Sequence, residues 1–546
     1  MLHHKARIWI LLLLLILVYV VTFSALSVIR HDNFYSSTFD LGIMAQVTWN
    51  TAHGRWFETS IDRATNIELI GSYLGNHVRP ILLFLAPLYL VWPDPRLLLV
   101  LQSVALGLAA FPLYFVVRKQ TGDAWAALIV SCCYLAYPAL GFLNLVDFHP
   151  VAFSIPLIVL AYWALHEERM GLFWGAVLLS LSVKEELVVP IAAWGVVNLL
   201  WGKRRRVGLG LVILAGVWAI LCFGLIIPTF NEGQPYRFWQ LWIKLLGGVS
   251  SDQGGTAQSI GSASFETIAL YLIHLFLPLG FLPFLGSTGK SQRTPPQEVG
   301  VNGKARDLGA AAPEGFSLRK SRRKAPGSFT SFLVALPSLA YLLLGERPAF
   351  HSVGYQYPAV LIPWFFLAVS EGLRRLHRPN RHRLYRLGLA FMVFGTLGIN
   401  IALNPVYLYA REGMFRPEPH HDQIAEALAQ IPPDAGVATI NRFGPQLADR
   451  RVLVALEYPA PLRLDHLEMV DYVLFDLVDC RVVPSPDPRA SYGEIVTQVM
   501  DTGDFRVRYW AERILLLERG EPAEGEAEAV LTYVADLVEQ GRPCWP

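Results

Sequence analysis

Long runs of apolar residues alternate with short polar connections along most of the first 400 residues of the chain. A helix needs roughly 20 mostly apolar residues to cross the hydrocarbon core of a membrane. Eleven apolar runs are candidates, although some are short, notably 172–183. They are 8–29, 97–117, 124–142, 151–165, 172–183, 187–201, 207–228, 266–286, 329–344, 356–370 and 387–403. The pattern therefore predicts a mostly α-helical, polytopic transmembrane bundle of about eleven spans in residues 1–403.

Two apolar segments need separate treatment. The run 8–29 follows Lys5 and Arg7, as in a signal peptide, but it exceeds the roughly 7–15 apolar residues of such a peptide and no clear cleavage site follows it. We expect it to remain as the first span. The run 81–92 is short and contains Pro87, which favours an interfacial or re-entrant segment over a span.

The distribution of Lys and Arg favours one orientation, because cytoplasmic loops carry an excess of both residues. With a cytoplasmic N-terminus and a non-crossing 81–92 segment, every predicted cytoplasmic loop is basic. These loops carry the basic residues at 5–7, 118–119, 169, 203–206, 290–324 and 374–386. If 81–92 crossed, all later loops would change sides and this agreement would be lost. We therefore predict that residues 30–96 form a first outer loop with interfacial helices, and that the chain after residue 403 lies outside the cytoplasm.

Composition agrees with a membrane protein. The chain is 53% hydrophobic and only 16% charged, with a mean hydropathy of +0.38. Soluble proteins carry roughly 25% charged residues. The net charge of +2 says little about partners. We expect the lipid bilayer as a partner and no nucleic acid, and the sequence does not indicate an oligomeric state.

Two regions differ from the apolar pattern. Residues 287–328 are rich in Gly, Pro, Ser, Lys and Arg, which predicts a disordered basic cytoplasmic loop. Residues 404–546 have the composition of a soluble domain. Helices are predicted there at 423–430, 492–500 and 526–539, and strands at 437–440, 452–456, 472–477 and, as one or two strands, 505–517. This alternation predicts a small extracytoplasmic α/β domain, and no Gly-rich phosphate loop follows its first strand.

Ionisable residues beside membrane spans are costly, so each is a functional hypothesis. The predicted topology collects five such groups on the outer side: Asp40; Asn76 to Pro80; Asp147 to Pro150; Lys184 to Glu186; and Glu346 to Tyr357. Each also has a structural interpretation, such as a helix-dipole acid at Asp40, a helix-starting Pro150, or mutual pairing within 184–186. Together, however, they bring carboxylates, Lys, Arg and His to one membrane face. That combination suits a phosphate-linked substrate.

At these residues the sequence resembles a known family. Phe39-Asp40-Leu41-Gly42-Ile43 and Trp49-Asn50-Thr51-Ala52-His53-Gly54 resemble the opening signature of bacterial membrane family 2079, a family of unknown function. Supporting matches are His77 with Pro80, the runs 86–89 and 147–150, Lys184-Glu185-Glu186, and Tyr355-Gln356-Tyr357. The family more often has Asp at position 186, so Glu186 is a mild departure. The resemblance covers about residues 15 to 480.

That family is similar in layout to the GT-C glycosyltransferases, polytopic enzymes that use sugars linked to polyprenyl phosphate and carry a catalytic acid in a large first outer loop. The resemblance implies an inverting sugar transfer on the outer face of the bacterial plasma membrane. Asp40 corresponds to the first-loop acid and Asp147 to a second outer acid. The implied catalytic residues are Asp40, Asp147, Lys184, Glu185 and Glu186, and the implied substrate-binding residues are His53, His77, Arg79, His149, Arg347, His351, Tyr355 and Tyr357.

A divalent cation, Mg²⁺ or Mn²⁺, would be optional, with Asp40, Asp147 and His149 as candidate ligands. Two other classes of function stay open at this point. A transporter or lipid flippase would also need ionisable residues in a membrane cavity. A non-catalytic scaffold for envelope assembly would tolerate loss of Asp40 and Lys184, but not loss of the residues after 403.

Overall fold

The protein is a mostly helical membrane bundle followed by a small mixed β-sheet, as seen in a computed structural model. The structure describes residues 2–61, 70–202, 204–231, 264–284, 330–345, 347–377, 379–456, 464–478 and 488–539. The predicted basic loop 287–328 and Glu346 lie outside these residues. We call residues 404–546 the C-terminal α/β region.

Helices cover the predicted apolar runs wherever the structure describes them. The α-helices are Leu2–Asp32, Ile43–Ala52, Leu82–Val91, Pro95–Leu108, Ala110–Thr121, Ala124–Leu135, Pro138–Leu145, Ser154–His166, Met170–Leu181, Val188–Leu200, Arg205–Ala219, Ile227–Phe230, Phe265–Phe276, Thr330–Leu344, Ile362–Leu376, His382–Leu403, Pro405–Arg411, His420–Leu428, Pro488–Met500 and Glu526–Glu539. Their ends follow local chemistry. For example, the Asp94 side chain accepts a hydrogen bond from the Arg96 amide, and Pro95 occupies the first helical position.

Four helical segments in the described part of the chain are long and apolar enough to cross a membrane: Arg7–Asp32, Pro95–Thr121, Arg205–Phe230 and His382–Arg411. A pair of helices, Ala124–Leu135 and Pro138–Leu145, would count as a fifth, although it bends by 43°. Pro138 explains the break, because its ring nitrogen has no proton to donate to the preceding turn. The multi-pass membrane architecture is therefore confirmed, whereas the number eleven stays a prediction.

The apolar segment 81–92 forms one short helix, Leu82–Val91. At 1.5 Å per residue it is about 15 Å long, roughly half of the hydrocarbon thickness. This length agrees with the interfacial or re-entrant segment predicted from the sequence.

The C-terminal α/β region contains a five-stranded sheet. A two-stranded hairpin precedes it in the chain, with strands β1 (Glu58–Thr59) and β2 (Gly71–Ser72). The five strands are β3 (Val437–Thr439), β4 (Leu453–Ala455), β5 (Tyr472–Asp476), β6 (Phe505–Ala511) and β7 (Ile514–Arg519). Their order is β4-β3-β5-β7-β6, with β3, β4 and β5 parallel and the last two antiparallel to their neighbours. The predicted strands and helices are confirmed, and the segment 505–517 is indeed two strands.

The C-terminal α/β region packs directly on the 30–96 segment. Strand β4 lies at the edge of the sheet, where unpaired backbone groups need cover. The Ser60 hydroxyl provides hydrogen-bond partners at this edge: it accepts from the Leu453 amide (2.8 Å) and donates to the Leu453 carbonyl (3.0 Å). Tyr89 of the short apolar helix donates to the Asp449 carboxylate at 2.8 Å. Residues 30–96 and the C-terminal α/β region therefore share one end of the bundle, as the predicted topology requires.

Candidate functional site

A cavity of about 190 Å³ lies between the short helical segment that follows the first long helix and three turns that connect later helices. We call this cavity the Asp40 cavity. Its walls include eight residues that the sequence pointed to: Asp40, His77, Arg79, His149, Lys184, Glu186, Arg347 and Tyr357. Aromatic and amide side chains complete the lining, among them Phe39, Tyr73, Asn76, Tyr341, Phe350 and Gln356. The groups are separated by up to 317 positions in the chain, so only folding brings them together.

Asp40 stands on a wide, five-residue helical turn, Thr38–Gly42, which we call the Asp40 turn. The Ser37 hydroxyl begins the turn by accepting a hydrogen bond from the Phe39 amide at 3.1 Å. The Asp40 side chain keeps 38% of its surface open to the cavity, and its Oδ1 lies 3.9 Å from His149 Nδ1. A carboxylate is thus held at a cavity wall with an open side toward a ligand.

Enclosure by the protein raises the pKa of Asp40 to about 6, while the nearby charges of Arg79 and Arg30 act in the opposite direction. Desolvation disfavours the charged carboxylate, so it outweighs the two guanidinium groups here. Asp40 is therefore ionised at neutral pH, but much closer to its protonation midpoint than an ordinary aspartate. Such a carboxylate is suited to accept a proton during a reaction.

Asp147 does not line the cavity, because both of its oxygens are engaged behind the Asp40 turn. Oδ1 accepts from Arg30 Nη1 at 2.7 Å, and Oδ2 accepts from the Ser37 amide at 2.9 Å. The residue is 1% exposed and has a φ of 144°, a conformation that L-residues rarely adopt. Strained residues of this kind persist only where their surroundings fix them. Asp147 therefore holds the Asp40 turn in place, with Arg30 as a partner that the sequence did not reveal.

His149 also lines the cavity, close to Asp40, and is 6% exposed. Its backbone amide donates to Gln102 Oε1 at 2.8 Å, while Gln102 Nε2 donates to the Asp147 carbonyl at 2.7 Å. Burial lowers the pKa of His149 to about 3, so the ring is neutral. Its Nε2 is buried and has no hydrogen-bond partner among the described residues, which leaves it able to bind a polar ligand group.

Lys184, Glu185 and Glu186 belong to two separate ion pairs, Lys184 with Glu186 and Glu185 with His77. Lys184 Nζ lies 2.8 Å from Glu186 Oε1, and both side chains line the cavity. Glu185 is fully buried behind it, where one oxygen lies 2.7 Å from His77 Nδ1 and the other accepts from the Val78 amide at 3.1 Å. Burial by itself raises the pKa of Glu185, but the charge and hydrogen bond of His77 outweigh it and hold this pKa below its usual range. Glu185 therefore fixes the 77–79 turn rather than facing a ligand.

The cavity has more cations than anions. Arg79, Lys184 and Arg347 face two carboxylates, Asp40 and Glu186. This leaves a formal charge of +1, because His149 is neutral and any charge on His77 is balanced by Glu185 at 2.7 Å. Arg79 lies 5.5 Å over the Tyr73 ring, and its Nη1 is 3.2 Å from Met44 Sδ. Its Nε is buried without a hydrogen-bond partner in the described part of the chain. Guanidinium groups in this situation are well suited to hold phosphate oxygens.

Three residues suggested by the sequence lie away from the cavity. His53 is exposed, and its Nδ1 lies 2.8 Å from the carbonyl of Trp49. His351 is buried with Nε2 3.3 Å from the Leu343 carbonyl, and Tyr355 is 47% exposed. Their predicted contact with substrate stays a prediction.

The candidate cation ligands do not converge. Asp147 is bound to Arg30 and to the Ser37 amide, while only Asp40 and His149 face each other. Within the described residues, no cluster of three His, Cys, Asp or Glu side chains could hold a metal ion. A cation ligated by Asp40, Asp147 and His149 would need Asp147 to leave Arg30.

Comparison with solved structures identifies the fold. ArnT from Cupriavidus metallidurans bound to undecaprenyl phosphate matches with a TM-score of 0.51 and 13% identity, over 91% of this chain and 97% of that chain. The apo state of the same protein matches with a TM-score of 0.48 and 14% identity over the same shares. The first match shows that this chain has an ArnT-like fold, which confirms the predicted GT-C-like bundle. A search of curated proteins finds no match.

The family assignment comes from a model described as predicted membrane protein DUF2079. It matches residues 30–289 and 326–516, which include the Asp40 turn, the other cavity-lining turns and most of the C-terminal sheet. This range agrees with the resemblance first indicated by the sequence around Asp40, 147–150 and 184–186. The chain therefore belongs to the DUF2079 family of membrane proteins.

Proposed function

We propose that this protein transfers a sugar from a polyprenyl-phosphate donor to an acceptor hydroxyl, at the outer face of a bacterial plasma membrane. The observation that carries the proposal is the Asp40 cavity, where a carboxylate with a pKa of about 6 faces three cations inside a GT-C-like fold. ArnT binds undecaprenyl phosphate, and the shared fold supports a lipid of this class for the present chain.

In the proposed reaction, Asp40 is the general base. It takes the proton from the acceptor hydroxyl as that oxygen attacks the anomeric carbon of the sugar. The bond between the anomeric carbon and the phosphate oxygen breaks at the same time, and its electron pair leaves with the lipid phosphate. Attack opposite to the leaving group inverts the anomeric configuration. A positioned base contributes roughly 10²–10⁴-fold to such a step.

The cavity cations would stabilise the leaving phosphate as its charge develops. Arg79 and Arg347 provide planar donor sets, and Lys184 provides a third positive charge beside Glu186. Among the sugar-binding groups, His149 Nε2 can bond a hydroxyl, and aromatic walls such as Tyr357 and Phe350, whose ring centroids are 4.5 Å apart, can cover the sugar ring. Asp147 and Glu185 act by holding the turns that carry Asp40 and His77.

No step of this mechanism passes through a metal ion. The proposed charge stabilisation uses guanidinium and ammonium groups, and Asp147 already neutralises Arg30. The optional Mg²⁺ or Mn²⁺ expected from the resemblance stays a prediction, and transfer measured with and without a chelator tests it.

The central test is Asp40→Asn in a membrane assay of sugar transfer from a polyprenyl-phosphate sugar. We expect transfer to fall about 100-fold or more, because the amide cannot accept the proton. Asp32→Asn is the matched control, since Asp32 is 43% exposed and pairs with Arg96 away from the cavity. Undiminished transfer by Asp40→Asn at normal protein level would contradict the base assignment.

The same assay separates the proposal from the two other classes of function. A flippase moves the intact lipid between leaflets and forms no new glycosidic bond, so the product must be detected by its covalent change. A scaffold retains its cellular function in the Asp40→Asn and Lys184→Gln variants. Lipid movement without product, or full function of both variants in cells, would favour the corresponding alternative.

A further inference from the structure

We propose that Asn441, in the C-terminal α/β region, is a positioning residue for Asp40. This inference rests on the proposed function, because it assigns a role in that reaction to a residue outside the cavity. Asn441 follows strand β3 by two positions and therefore lies at the carboxyl end of the parallel strands. Sheets of this kind commonly bind ligands at that edge. In this protein the Asp40 turn is seated close to this edge.

Asn441 contacts the start of the Asp40 turn through both its side chain and its backbone. Its Oδ1 accepts from the Thr38 amide at 2.9 Å and from the Ser37 hydroxyl at 3.1 Å. The Asn441 carbonyl accepts from the Thr38 hydroxyl and shares the Thr38 amide, at 2.9 Å, with the side-chain oxygen. Thr38 is fully buried, so these groups would be left without partners if the two segments separated.

The fit between the two segments is also steric. A Cβ atom added to Gly444 would lie 2.0 Å from Thr38 Oγ1 and 2.9 Å from Thr38 Cβ. A side chain at 444 would therefore push the Asp40 turn away from the C-terminal α/β region. The Asp40 turn is held from the opposite side by Asp147, which accepts from the Ser37 amide. The Asp40 turn therefore has hydrogen bonds to Asp147 on one side and to Asn441 of the C-terminal α/β region on the other. These two regions meet only in the folded protein.

This arrangement assigns a purpose to the C-terminal α/β region. The sequence predicted a small α/β domain without a Gly-rich phosphate loop, with no indication of where it would act. Through Asn441 and Gly444, the region fixes the direction of the carboxylate that serves as base. Small displacements of a positioned catalytic group cost large factors in rate without changing how tightly the substrate binds elsewhere.

The test uses the full-length protein in membranes and three variants. For Asn441→Ala we expect kcat to fall about 10- to 100-fold, because the Asp40 carboxylate would be misplaced. The KM for the lipid donor should change less than about threefold. Asn441→Asp keeps an acceptor oxygen for Thr38 and Ser37, so it should recover most of the lost kcat. Tyr89→Phe is the matched control, since it removes a hydrogen bond to Asp449 in the same interface, away from the Asp40 turn. It should leave kcat within about twofold, because an interface hydrogen bond contributes little to the step itself.

Amide hydrogen exchange supplies a readout that is independent of activity. Asn441→Ala should speed exchange in residues 37–42, whereas Tyr89→Phe should not. Unchanged exchange and unchanged kcat in Asn441→Ala would overturn the inference and leave the proposed function intact. An equal loss of kcat in Tyr89→Phe would also overturn it, since general loosening of the interface would then explain both. Faster exchange in Asn441→Ala, together with a wild-type protein that shows no transfer, would contradict the proposed function alone.

Discussion

Asp40 combines three properties that a general base needs. Enclosure by the protein raises its pKa to about 6. Its side chain is partly open to the cavity, and it lies on a turn that other residues hold in place. The two arginines that lower its pKa, Arg79 and Arg30, have different roles. Arg30 is bound to Asp147 behind the turn, whereas Arg79 faces the cavity. In the proposed reaction, the protonation of Asp40 and the binding of the lipid phosphate are therefore linked through Arg79.

This linkage predicts the pH dependence of transfer. Because the base must be deprotonated, kcat/KM should rise with pH, with a midpoint near 6, and level off above it. In Arg79→Gln the midpoint should move upward, since the charge that favours the carboxylate is gone. Arg96→Gln is the control, as Arg96 pairs with Asp32 and Asp94 outside the cavity. A profile that falls with pH through this range would rule out Asp40 as the base.

At the scale of elements, close helix packing supports the bundle that surrounds the cavity. The helices Val188–Leu200 and Arg205–Ala219 approach through small residues, as membrane helices often do. A Cβ atom on Gly208 would lie 2.8 Å from the Gly195 carbonyl oxygen and 2.9 Å from the Leu199 amide nitrogen. The first of these helices begins immediately after the 184–186 turn, so its packing helps to fix Lys184 and Glu186.

Two glycines of one helix provide a matched test of this packing. Gly208→Ala should destabilise the protein by about 1–3 kcal/mol, because the added methyl group meets the backbone of the neighbouring helix. Gly216→Ala should not destabilise it, since a Cβ there has no atom within 4 Å and alanine favours helix. Thermal unfolding in detergent measures both. Equal shifts in the two variants would show that close approach at Gly208 is unimportant.

At the scale of the whole molecule, two ends of the bundle have different chemistry. The Asp40 cavity and the C-terminal α/β region share one end. The other end collects basic residues from three predicted cytoplasmic connections, where Lys119 pairs with Glu167 at 2.8 Å and Arg204 pairs with Glu168 at 2.8 Å. The contacts agree with the charge-based topology. Which side of the membrane each end faces stays a prediction from the positive-inside rule.

Cysteine labelling tests that orientation. In a variant with its five native cysteines replaced by serine, a cysteine at Asp504 should react with a membrane-impermeant reagent added outside intact cells. A cysteine at Ala310 should react only after the membrane is opened, because the predicted topology assigns the basic loop to the cytoplasm. Labelling of both positions from outside, or the reverse pattern, would contradict the topology.

The helices and strands of this protein can be predicted from the amino-acid sequence, because their signals are local. Apolar length predicted the helices of the bundle, and the alternation of strands with helices along the chain predicted the α/β class of the C-terminal α/β region. The short length of 81–92, its Pro87 and the distribution of basic residues together kept it from the count of spans. Motif residues such as Asp40 and His149 were also recognisable, since charged and polar groups beside spans stand out against an apolar background.

Which of these residues face a common cavity depends on how distant segments of the chain pack together. Asp147 and Glu185 are close in sequence to cavity residues, yet they turn behind it to hold Arg30 and His77. Asn441 lies 401 positions from Asp40, and no local pattern connects them. Contacts over such separations depend on how faces pack and which buried polar groups need partners. Helix length and charge are therefore readable from the chain, while the direction in which Asp40 points follows from packing across the whole molecule.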